Sequence, residues 1–203
     1  MFIANLPIYK KLTGKRSAIF AQRISKLLTP NARVLDFGCG NMYTAREIVK
    51  IDPSVHITGI DVIKDQNLDE KIIDGKNLDF KLLETRELPF PDNHFDATVA
   101  LTVMHHTDNP EYYLSELKRV IKPSGSIILI EEMYINQFDK LLISSHDWIL
   151  NKLKKGVPVP LNFRSNKHYL EEFRRQGLSI VHKDSIRAFL TGMHLYIYQL
   201  KKD

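Results

Sequence analysis

The sequence predicts an α/β fold, a doubly wound and mostly parallel sheet that carries an antiparallel hairpin at one edge. Short apolar segments of strand length alternate with longer segments whose apolar residues recur at helical spacing. Clusters of Pro, Gly, Asn and Asp separate the two kinds of segment, which is typical of βαβ units around a parallel sheet. Two further β-like stretches follow one another near the carboxyl end, and their succession predicts the hairpin.

The expected elements follow from these patterns in chain order. Parallel strands are predicted at residues 33–37, 56–60, 79–83, 95–101 and 126–130, the last one after a turn at 123–125. Helices are predicted at residues 17–28, 43–51, 111–121, 138–153 and 167–175, with Gly177 as the cap of the last helix. The hairpin strands are predicted at residues 178–189 and 193–200.

Composition is that of an ordinary globular protein. The chain has 203 residues, of which 43% are hydrophobic and 26% are charged. No apolar run reaches the roughly 20 residues that a membrane-spanning helix needs, so no transmembrane segment is expected. The single cysteine, Cys39, cannot form an internal disulfide, and we expect a cytoplasmic protein. The eight histidines lack ligand spacing with other donors, so no metal site is expected.

The net charge of +5 is distributed unevenly along the chain. Residues 1–35 carry seven Lys or Arg and no acid, and residues 133–203 carry twelve basic residues against six acidic ones. The middle part, residues 36–132, has ten basic residues against eighteen acidic ones. Such a pattern fits a simple solvated surface, and it also fits an anionic partner such as RNA, a phospholipid surface or an acidic metabolite.

A glycine-rich turn provides the main indication of function. Asp36 and Phe37 end the first predicted strand, and Gly38-Cys39-Gly40 then leads into a helix. Glycines at this junction let backbone N–H groups approach a ligand without obstruction by a Cβ atom. Asp61 lies at the end of the next strand, where a carboxylate can accept hydrogen bonds from both ribose hydroxyls of a nucleoside. The combination predicts a nucleoside-containing cofactor.

Two cofactor classes fit this arrangement, and the details favour one of them. A nicotinamide dinucleotide site requires Gly-x-Gly-x-x-Gly, and Tyr43 occupies the position of the third glycine. The acid that precedes the loop, Asp36, is also foreign to that pattern. S-adenosylmethionine carries an ammonium and a sulfonium group, so an acidic loop suits it better than it suits a pyrophosphate.

Several ordered motifs resemble the class I S-adenosylmethionine-dependent methyltransferases. Residues 35–40 resemble motif I of that family, and residues 88–96 resemble its stretch before the fourth strand. Residues 103–106 and 117–125 are similar to the small-molecule branch that includes ubiquinone and menaquinone methyltransferases. The resemblance covers residues 32–132, and it implies a Rossmann-like methyltransferase fold.

The resemblance also implies roles for individual residues. Residues 38–40 would line the methionine end of S-adenosylmethionine, and Asp61 would hold its ribose. Glu84 would lie near the adenine amino group, and Thr102 would lie against the cofactor beyond the fourth strand. The complete predicted cofactor-binding set is Asp36, Gly38, Cys39, Gly40, Asp61, Val62, Glu84, Thr85 and Thr102.

The chain departs from the family pattern directly after Gly40. The family commonly has a further glycine there, and this chain has Asn41 and Met42 instead. We therefore expect Met42 to pack against the cofactor or to narrow its pocket, which would lower the affinity for the cofactor.

The remaining segments are expected to form the acceptor side of one methyltransferase domain, 1–203. We predict a helical lid at 1–31, a cofactor-binding core at 32–132, an insert that caps the sheet at 133–165, and a terminal helix and hairpin at 166–203. The insert is expected to bury its large apolar side chains in a pocket wall; these are Phe138, Trp148, Ile149 and Phe163.

Polar residues on that side are candidates for catalysis and substrate binding. His105, His106 and His146 are weak candidates for a general base, since the adjacent pair also serves to shape pockets in this branch. Tyr9, His146 and Arg164 are candidates to orient the substrate.

Three functions remain open from the sequence. Methyl transfer to a small-molecule acceptor is favoured by the motif branch and by the insert. An RNA or protein methyltransferase is the alternative that the basic ends support. A cofactor-binding protein without transfer activity is the third, and it depends on Met42. The oligomeric state and the acceptor atom do not follow from the residues.

Overall fold

The computed structural model describes residues 7–65, 67–68, 73, 76–152, 162–187 and 194–203. Within these ranges it describes all side chains except those of residues 7–13, 146–147 and 149–152. No helix in this part of the chain is both long and apolar enough to cross a membrane.

A seven-stranded sheet forms the centre of the protein, in the order β3-β2-β1-β4-β5-β7-β6. The strands are β1 (Arg33–Phe37), β2 (His56–Asp61), β3 (Leu78–Leu82), β4 (Phe95–Leu101), β5 (Ile121–Glu132), β6 (Leu178–Arg187) and β7 (His194–Lys202). The first five strands are parallel, and β7 runs antiparallel to both β5 and β6. The predicted fold class and the hairpin at the sheet edge are confirmed.

In the part of the chain that the structure describes, five helices connect or cover the strands. They are α1 (Pro7–Ser25), α2 (Tyr43–Ile51), α3 (Pro110–Val120), α4 (Gln137–Lys152) and α5 (Asn166–Arg175), with a short 3-10 turn at Met104–His106. Two clusters of buried side chains fill the two faces of the sheet. One contains residues of α3 and α5, and the other contains residues of α1 and α2. Burial on both faces explains why β1 and β4 read as continuous apolar runs.

Strand β5 begins five residues before its predicted start, because the turn at 123–125 lies within the strand. Phe95 of β4 pairs with Ile121, and the register then shifts before Ala97 pairs with Ser126. A bulge of this kind lets a strand continue through turn residues. A Cβ atom on Gly125 would lie 2.9 Å from the carbonyl oxygen of Asp96, so glycine is required for this close approach.

Helix α1 also differs from its prediction, since it covers 7–25 instead of 17–28. Pro7 occupies the first turn, a position that proline favours. The chain leaves the helix through 3-10 type bonds, in which the N–H groups of Leu27 and Leu28 donate to the carbonyls of Ile24 and Ser25. The first half of α1 has little apolar periodicity, and the sequence pattern therefore found only its second half.

The start of α1 extends beyond the carboxyl ends of the strands. Helices α1 and α2 pack together on one face of the sheet, and the last turn of α1 lies near the edge hairpin, where Arg23 pairs with Asp184. Asp184 is level with Ile197 and Ile130, near the carboxyl end of β5. Helix α1 has nineteen residues and α2 has nine. At 1.5 Å per residue, α1 is about 15 Å longer. The additional length lies on the side where α2 begins, which is the carboxyl edge of the sheet.

Candidate functional site

The predicted cofactor site lies where the strand order reverses, between β1 and β4. In doubly wound sheets this crevice at the carboxyl ends of the strands is the usual ligand site. The N–H groups of Gly38 and Cys39 both donate to the carbonyl of Ile60, at 2.8 and 3.2 Å. These two bonds fix the glycine loop to the end of β2.

The two loop glycines serve different purposes. Gly38 has a φ of 70°, and a Cβ atom there would lie 2.1 Å from Cγ2 of Val103. Gly40 has a φ of 52°, and a Cβ atom there would meet nothing within 4 Å. Glycine is thus needed at position 38 for packing on the segment after β4. The backbone at Gly40 faces open space that a ligand can enter.

Asp61 is held by the backbone on both sides of its carboxyl group. Its Oδ2 accepts the N–H of Gly40 at 2.9 Å, and its Oδ1 accepts the N–H of Ile63 at 3.2 Å. Burial raises the pKa of Asp61, against these hydrogen bonds, which lower it. A carboxylate has about four acceptor positions, so two bonds leave capacity for the hydroxyls of a sugar.

Asp36 is a buried acid next to Asp61. Its pKa rises from 3.8 to about 7, first because burial disfavours the charged form and second because the charge of Asp61 repels it. Two carboxyl groups in this state make the crevice attractive to a cation. A ligand with an ammonium or sulfonium group would relieve the repulsion that an anionic ligand would increase.

Cys39 lies between these acids and is half-buried. Burial and the charges of Asp36 and Asp61 raise the pKa of its thiol. Such a thiol stays protonated at neutral pH, and the thiolate is the nucleophilic form. Cys39 is therefore suited to lining a pocket and not to covalent catalysis.

The expectation that Met42 enters the cofactor pocket is wrong. Its side chain is 1% exposed and belongs to the buried cluster under α1 and α2. Its Cε atom would lie 2.8 Å from a Cβ atom placed on Gly59, so the glycine in β2 provides the space for it. Met42 itself has a left-handed φ of 57°, a conformation that glycine adopts more readily than other residues. The departure from the family pattern thus changes the core and leaves the pocket open.

Replacing Met42 by glycine should destabilise the fold although it relieves the left-handed backbone. Relief of such a conformation is worth about 1 kcal/mol, whereas removing a buried Met side chain costs roughly 2–5 kcal/mol. We expect a net loss of about 1–4 kcal/mol in the free energy of unfolding, measured with urea. Asn31→Gly is the matched control, because Asn31 has a φ of 59° and an exposed side chain. A Met42→Gly protein as stable as the Asn31→Gly protein would contradict the packing argument.

The other predicted cofactor residues follow the ends of β2, β3 and β4. Val62 is exposed next to Asp61, and Glu84 and Thr85 are exposed beyond Leu83, whose N–H donates to the Asp61 carbonyl. Thr102 has a φ of 48°, and its N–H donates to the carbonyl of Ile130 at 2.7 Å. The structure thus brings these residues to the same sheet edge, and their contacts with a cofactor remain a prediction.

A buried histidine and glutamate lie beside this crevice. His105 Nδ1 is 2.6 Å from Oε1 of Glu131, and both side chains are almost fully buried. Glu131 also accepts the N–H groups of Met104 and Glu132 at 3.0 Å. Glu131 is not among the residues that the sequence motifs predicted for the site. The feature that could have indicated it is an acid directly after the apolar run of β5.

The insert at 133–165 is attached to the sheet edge at both ends. Tyr134 forms a parallel bridge with Ser165, so the insert leaves and returns at one point. The ring of Phe163 stacks on His105 with centroids 4.3 Å apart. The N–H of Asn162 donates to the carbonyl of His105 at 3.0 Å. These contacts place the returning end of the insert against the histidine.

Two of the three predicted substrate residues, Tyr9 and His146, have side chains outside the described part of the chain. The third, Arg164, pairs with Glu111, with Nε 2.7 Å from Oε1. His168 Nε2 lies 2.8 Å from the same oxygen. This cluster lowers the pKa of Glu111 to about 2, because the hydrogen bonds from Arg164 and His168 outweigh the effect of burial. Arg164 thus connects the insert to α3, and a role in substrate binding remains a prediction.

The expectation that the insert buries its large apolar side chains is correct for one residue and wrong for two. Phe163 is buried against His105. Phe138 is 67% exposed and Trp148 is 47% exposed. The side chain of Ile149 lies outside the described residues. Helix α4 therefore exposes both of these aromatic side chains.

Comparisons with known proteins agree with this geometry. Residues 35–129 match the family model described as a methyltransferase domain. The chain is 29% identical over 187 residues to a sterol 24-C-methyltransferase of Gibberella zeae, covering 87% of this chain and 47% of that protein. It is 26% identical to the mitochondrial ubiquinone biosynthesis O-methyltransferase of Dictyostelium discoideum, covering 95% of this chain and 62% of that protein. The chain spans about half the length of the sterol methyltransferases it matches.

Solved structures with the same fold have lower sequence identity. A putative methyltransferase of Haloferax volcanii, solved with a methyltransferase activator, superposes with a TM-score of 0.75 at 20% identity and covers 95% of this chain and 93% of its own. The [4+2]-cyclase SpnF superposes with a TM-score of 0.70 at 19% identity, covering 91% of this chain and 80% of its own. These likenesses show the fold, and the second one shows that the fold also occurs in a protein named for a different reaction.

The fold and the site are those of a domain that binds a nucleoside-containing cofactor. The carboxyl groups of the crevice favour a ligand with positive charge. The matched methyltransferase domain over residues 35–129 and the similar proteins support a class I S-adenosylmethionine-dependent methyltransferase.

Proposed function

We propose that this protein transfers a methyl group from S-adenosylmethionine to a small-molecule acceptor. The observation that carries the proposal is the pair of carboxyl groups, Asp36 and Asp61, beside the open backbone of Gly40. The names of the similar proteins support a small-molecule acceptor, since they act on sterol and ubiquinone-type molecules. An RNA or protein acceptor has only the basic ends of the chain in its favour.

The residues of the crevice fit the cofactor. When bound, S-adenosylmethionine supplies a sulfonium methyl group that an acceptor nucleophile can attack in line. We propose that Asp36 and the 38–40 loop hold the cationic methionine end, and that Asp61 and Val62 hold the ribose. Glu84, Thr85 and Thr102 complete the set at the ends of the next strands.

On the acceptor side we propose that His105 accepts the proton of the acceptor group. The Glu131 carboxylate favours the tautomer with hydrogen on Nδ1, which makes Nε2 the basic nitrogen. Phe163 keeps the imidazole ring in place by stacking on it. His106 lies against His105, with ring centroids 4.1 Å apart, and would shape the same pocket.

The remaining parts of the chain enclose this site in our proposal. We propose four parts, because α1 and the insert both reach the carboxyl edge of the sheet. They are a lid at 1–31, a core at 32–132, an insert at 133–165 and a terminal part at 166–203. A cytoplasmic location is also part of the proposal. The chain has a single cysteine, Cys39, and therefore cannot form an internal disulfide.

Replacing Asp61 by alanine tests the cofactor site. A hydrogen bond to a charged group is worth about 1.5–3 kcal/mol, so we expect the affinity for S-adenosylhomocysteine to fall roughly 10–150-fold. Isothermal calorimetry measures this change, with NADH as a ligand that should not bind to the wild-type protein. Asp79→Ala, which removes an exposed acid of β3, is the matched control. An unchanged dissociation constant in a folded Asp61→Ala protein would exclude the proposed ribose site.

A further inference from the structure

Helix α4 exposes an apolar face to solvent. Four apolar residues of α4 follow one another at intervals of three, one and six positions, which places them on one side of a helix with 3.6 residues per turn. They are Phe138, Leu141, Leu142 and Trp148. Phe138 is 67% exposed, Leu141 is 66% exposed and Leu142 is 40% exposed. Ile135, just before the helix, is also largely exposed. Surfaces of this kind usually mark a site of interaction.

The opposite face of α4 attaches the helix to the protein. Ile143 is fully buried and points away from the apolar face, while Asp139, Lys140 and Ser144 between the two faces are partly buried. A helix on a globular surface normally directs its apolar stripe to the core. Among the described side chains of α4, Ile143 is the one aliphatic residue that does so, and Phe138, Leu141 and Trp148 point outward.

This exposed face belongs to the edge of the sheet that carries the cofactor site. The insert starts directly after β5 and returns through the bridge between Tyr134 and Ser165. Phe163, near the returning end, stacks on His105. The segment that carries the α4 face thus begins and ends at the edge where the acceptor site is proposed.

Positive charge is concentrated at the same edge. The first ten residues of α1 extend past the strands, and the exposed Lys15 and Arg16 lie at the base of this extension. The sequence places Lys10 and Lys11 further along it, and residues 1–35 contain no acid. The edge thus combines exposed aromatic and aliphatic side chains with a basic helix end.

We propose that this edge docks on the surface of an anionic membrane and that the methyl acceptor is an amphiphile taken from it. The proposal rests on the proposed function and names its substrate class. Apolar side chains that include Trp and Phe insert at the boundary of headgroups and acyl chains, while basic residues are attracted to anionic lipid. A protein partner would use the apolar face of α4 without needing the basic, acid-free end of α1 at the same edge, and for this reason we favour a membrane.

Vesicle co-sedimentation tests the docking surface. The probes are vesicles of phosphatidylcholine alone and of phosphatidylcholine mixed with phosphatidylserine. We expect the protein to bind the mixed vesicles more strongly, and we expect added salt to weaken this binding. The double variant Phe138→Ser/Leu141→Ser should lose binding at least about tenfold, since two large apolar side chains no longer insert. Lys15→Glu/Arg16→Glu should remove the preference for phosphatidylserine.

The matched control changes exposed apolar residues elsewhere. Ile180 and Val181 lie in the edge strand β6, where Ile180 pairs with Leu200 toward the amino end of the parallel strands. Ile180→Ser/Val181→Ser should bind vesicles like the wild type.

Two results would overturn the proposal. The first is that the wild-type protein binds neither kind of vesicle. The second is a wild-type dimer that Phe138→Ser/Leu141→Ser converts to a monomer, because a second copy would then cover the face. Calorimetry with S-adenosylhomocysteine separates this failure from that of the proposed function, since all these variants should bind the cofactor product normally.

Discussion

Replacing Glu131 by alanine should cause a loss of about 3–5 kcal/mol in the free energy of unfolding, because three buried donors lose their charged acceptor at a cost of roughly 1–3 kcal/mol for each donor. Glu131 accepts hydrogen bonds from the His105 ring and from the backbone N–H groups of Met104 and Glu132. Alanine leaves all three donors without this acceptor in a site that is almost fully buried. Urea denaturation followed by circular dichroism measures the change.

A surface glutamate serves as the control for Glu131. Glu171 pairs with Lys167 at 3.8 Å on the exposed side of α5, and Glu171→Ala should cost less than about 1 kcal/mol. Glu131→Gln keeps the shape of the side chain and should retain part of the stability. In the glutamine variant the pH dependence of kcat should change, because the amide no longer holds His105 in one tautomer. Equal stability of the Glu131→Ala and Glu171→Ala proteins would contradict the buried network.

The second large effect concerns Asp36→Asn, which should stabilise the cofactor-free protein at pH 8 and weaken cofactor binding. The folded pKa of Asp36 is about 7 and its ordinary value is 3.8. The folded protein therefore keeps a proton that the unfolded chain releases, and stability falls as the pH rises from about 4 to 7. At 1.36 kcal/mol for each pH unit between the two pKa values, this amounts to roughly 4 kcal/mol at pH 8.

Measurements at two pH values isolate the effect of Asp36. Asparagine has no charge to bury, so the gain in unfolding free energy should appear at pH 8 and be absent at pH 4. Asp79→Asn in the exposed part of β3 should show no such difference. The same Asp36→Asn protein should bind S-adenosylhomocysteine more weakly, since its ammonium group loses a carboxylate partner. A variant that gains stability equally at both pH values would show that burial of the Asp36 charge is not the cause.

Sequence patterns predicted the parallel part of the fold closely, because apolar runs that are buried on both faces have clear limits. Strands β1 and β4 and helix α2 have the expected bounds, and Asp61 lies at the end of β2 as expected. The patterns failed where tertiary contacts replace local rules. The bulge before Ser126 carries β5 through a turn, and the first half of α1 is helical without an apolar stripe.

Within the site, the sequence indicated which residues share an edge but not how their side chains are arranged. Met42 was expected in the pocket. Only the structure shows that Gly59, which has no side chain, leaves space for Met42 in the core. Glu131 was missed, since its partner His105 is distant in sequence and the pair forms only when β4 and β5 lie side by side. Phe138 and Trp148 were expected to be buried, and periodicity alone does not say which way an amphipathic helix faces.

The bridge between Tyr134 and Ser165 has a consequence for how such enzymes diversify. A segment whose two ends are paired with each other can be lengthened, shortened or exchanged without moving the strands that it connects. Doubling the length of such a loop costs only about 0.6 kcal/mol in closure entropy. The insert can thus change its composition under selection for new acceptors while the crevice for the cofactor is inherited intact. Chimeras that exchange residues 135–162 between relatives are a practical route to altered substrate preference.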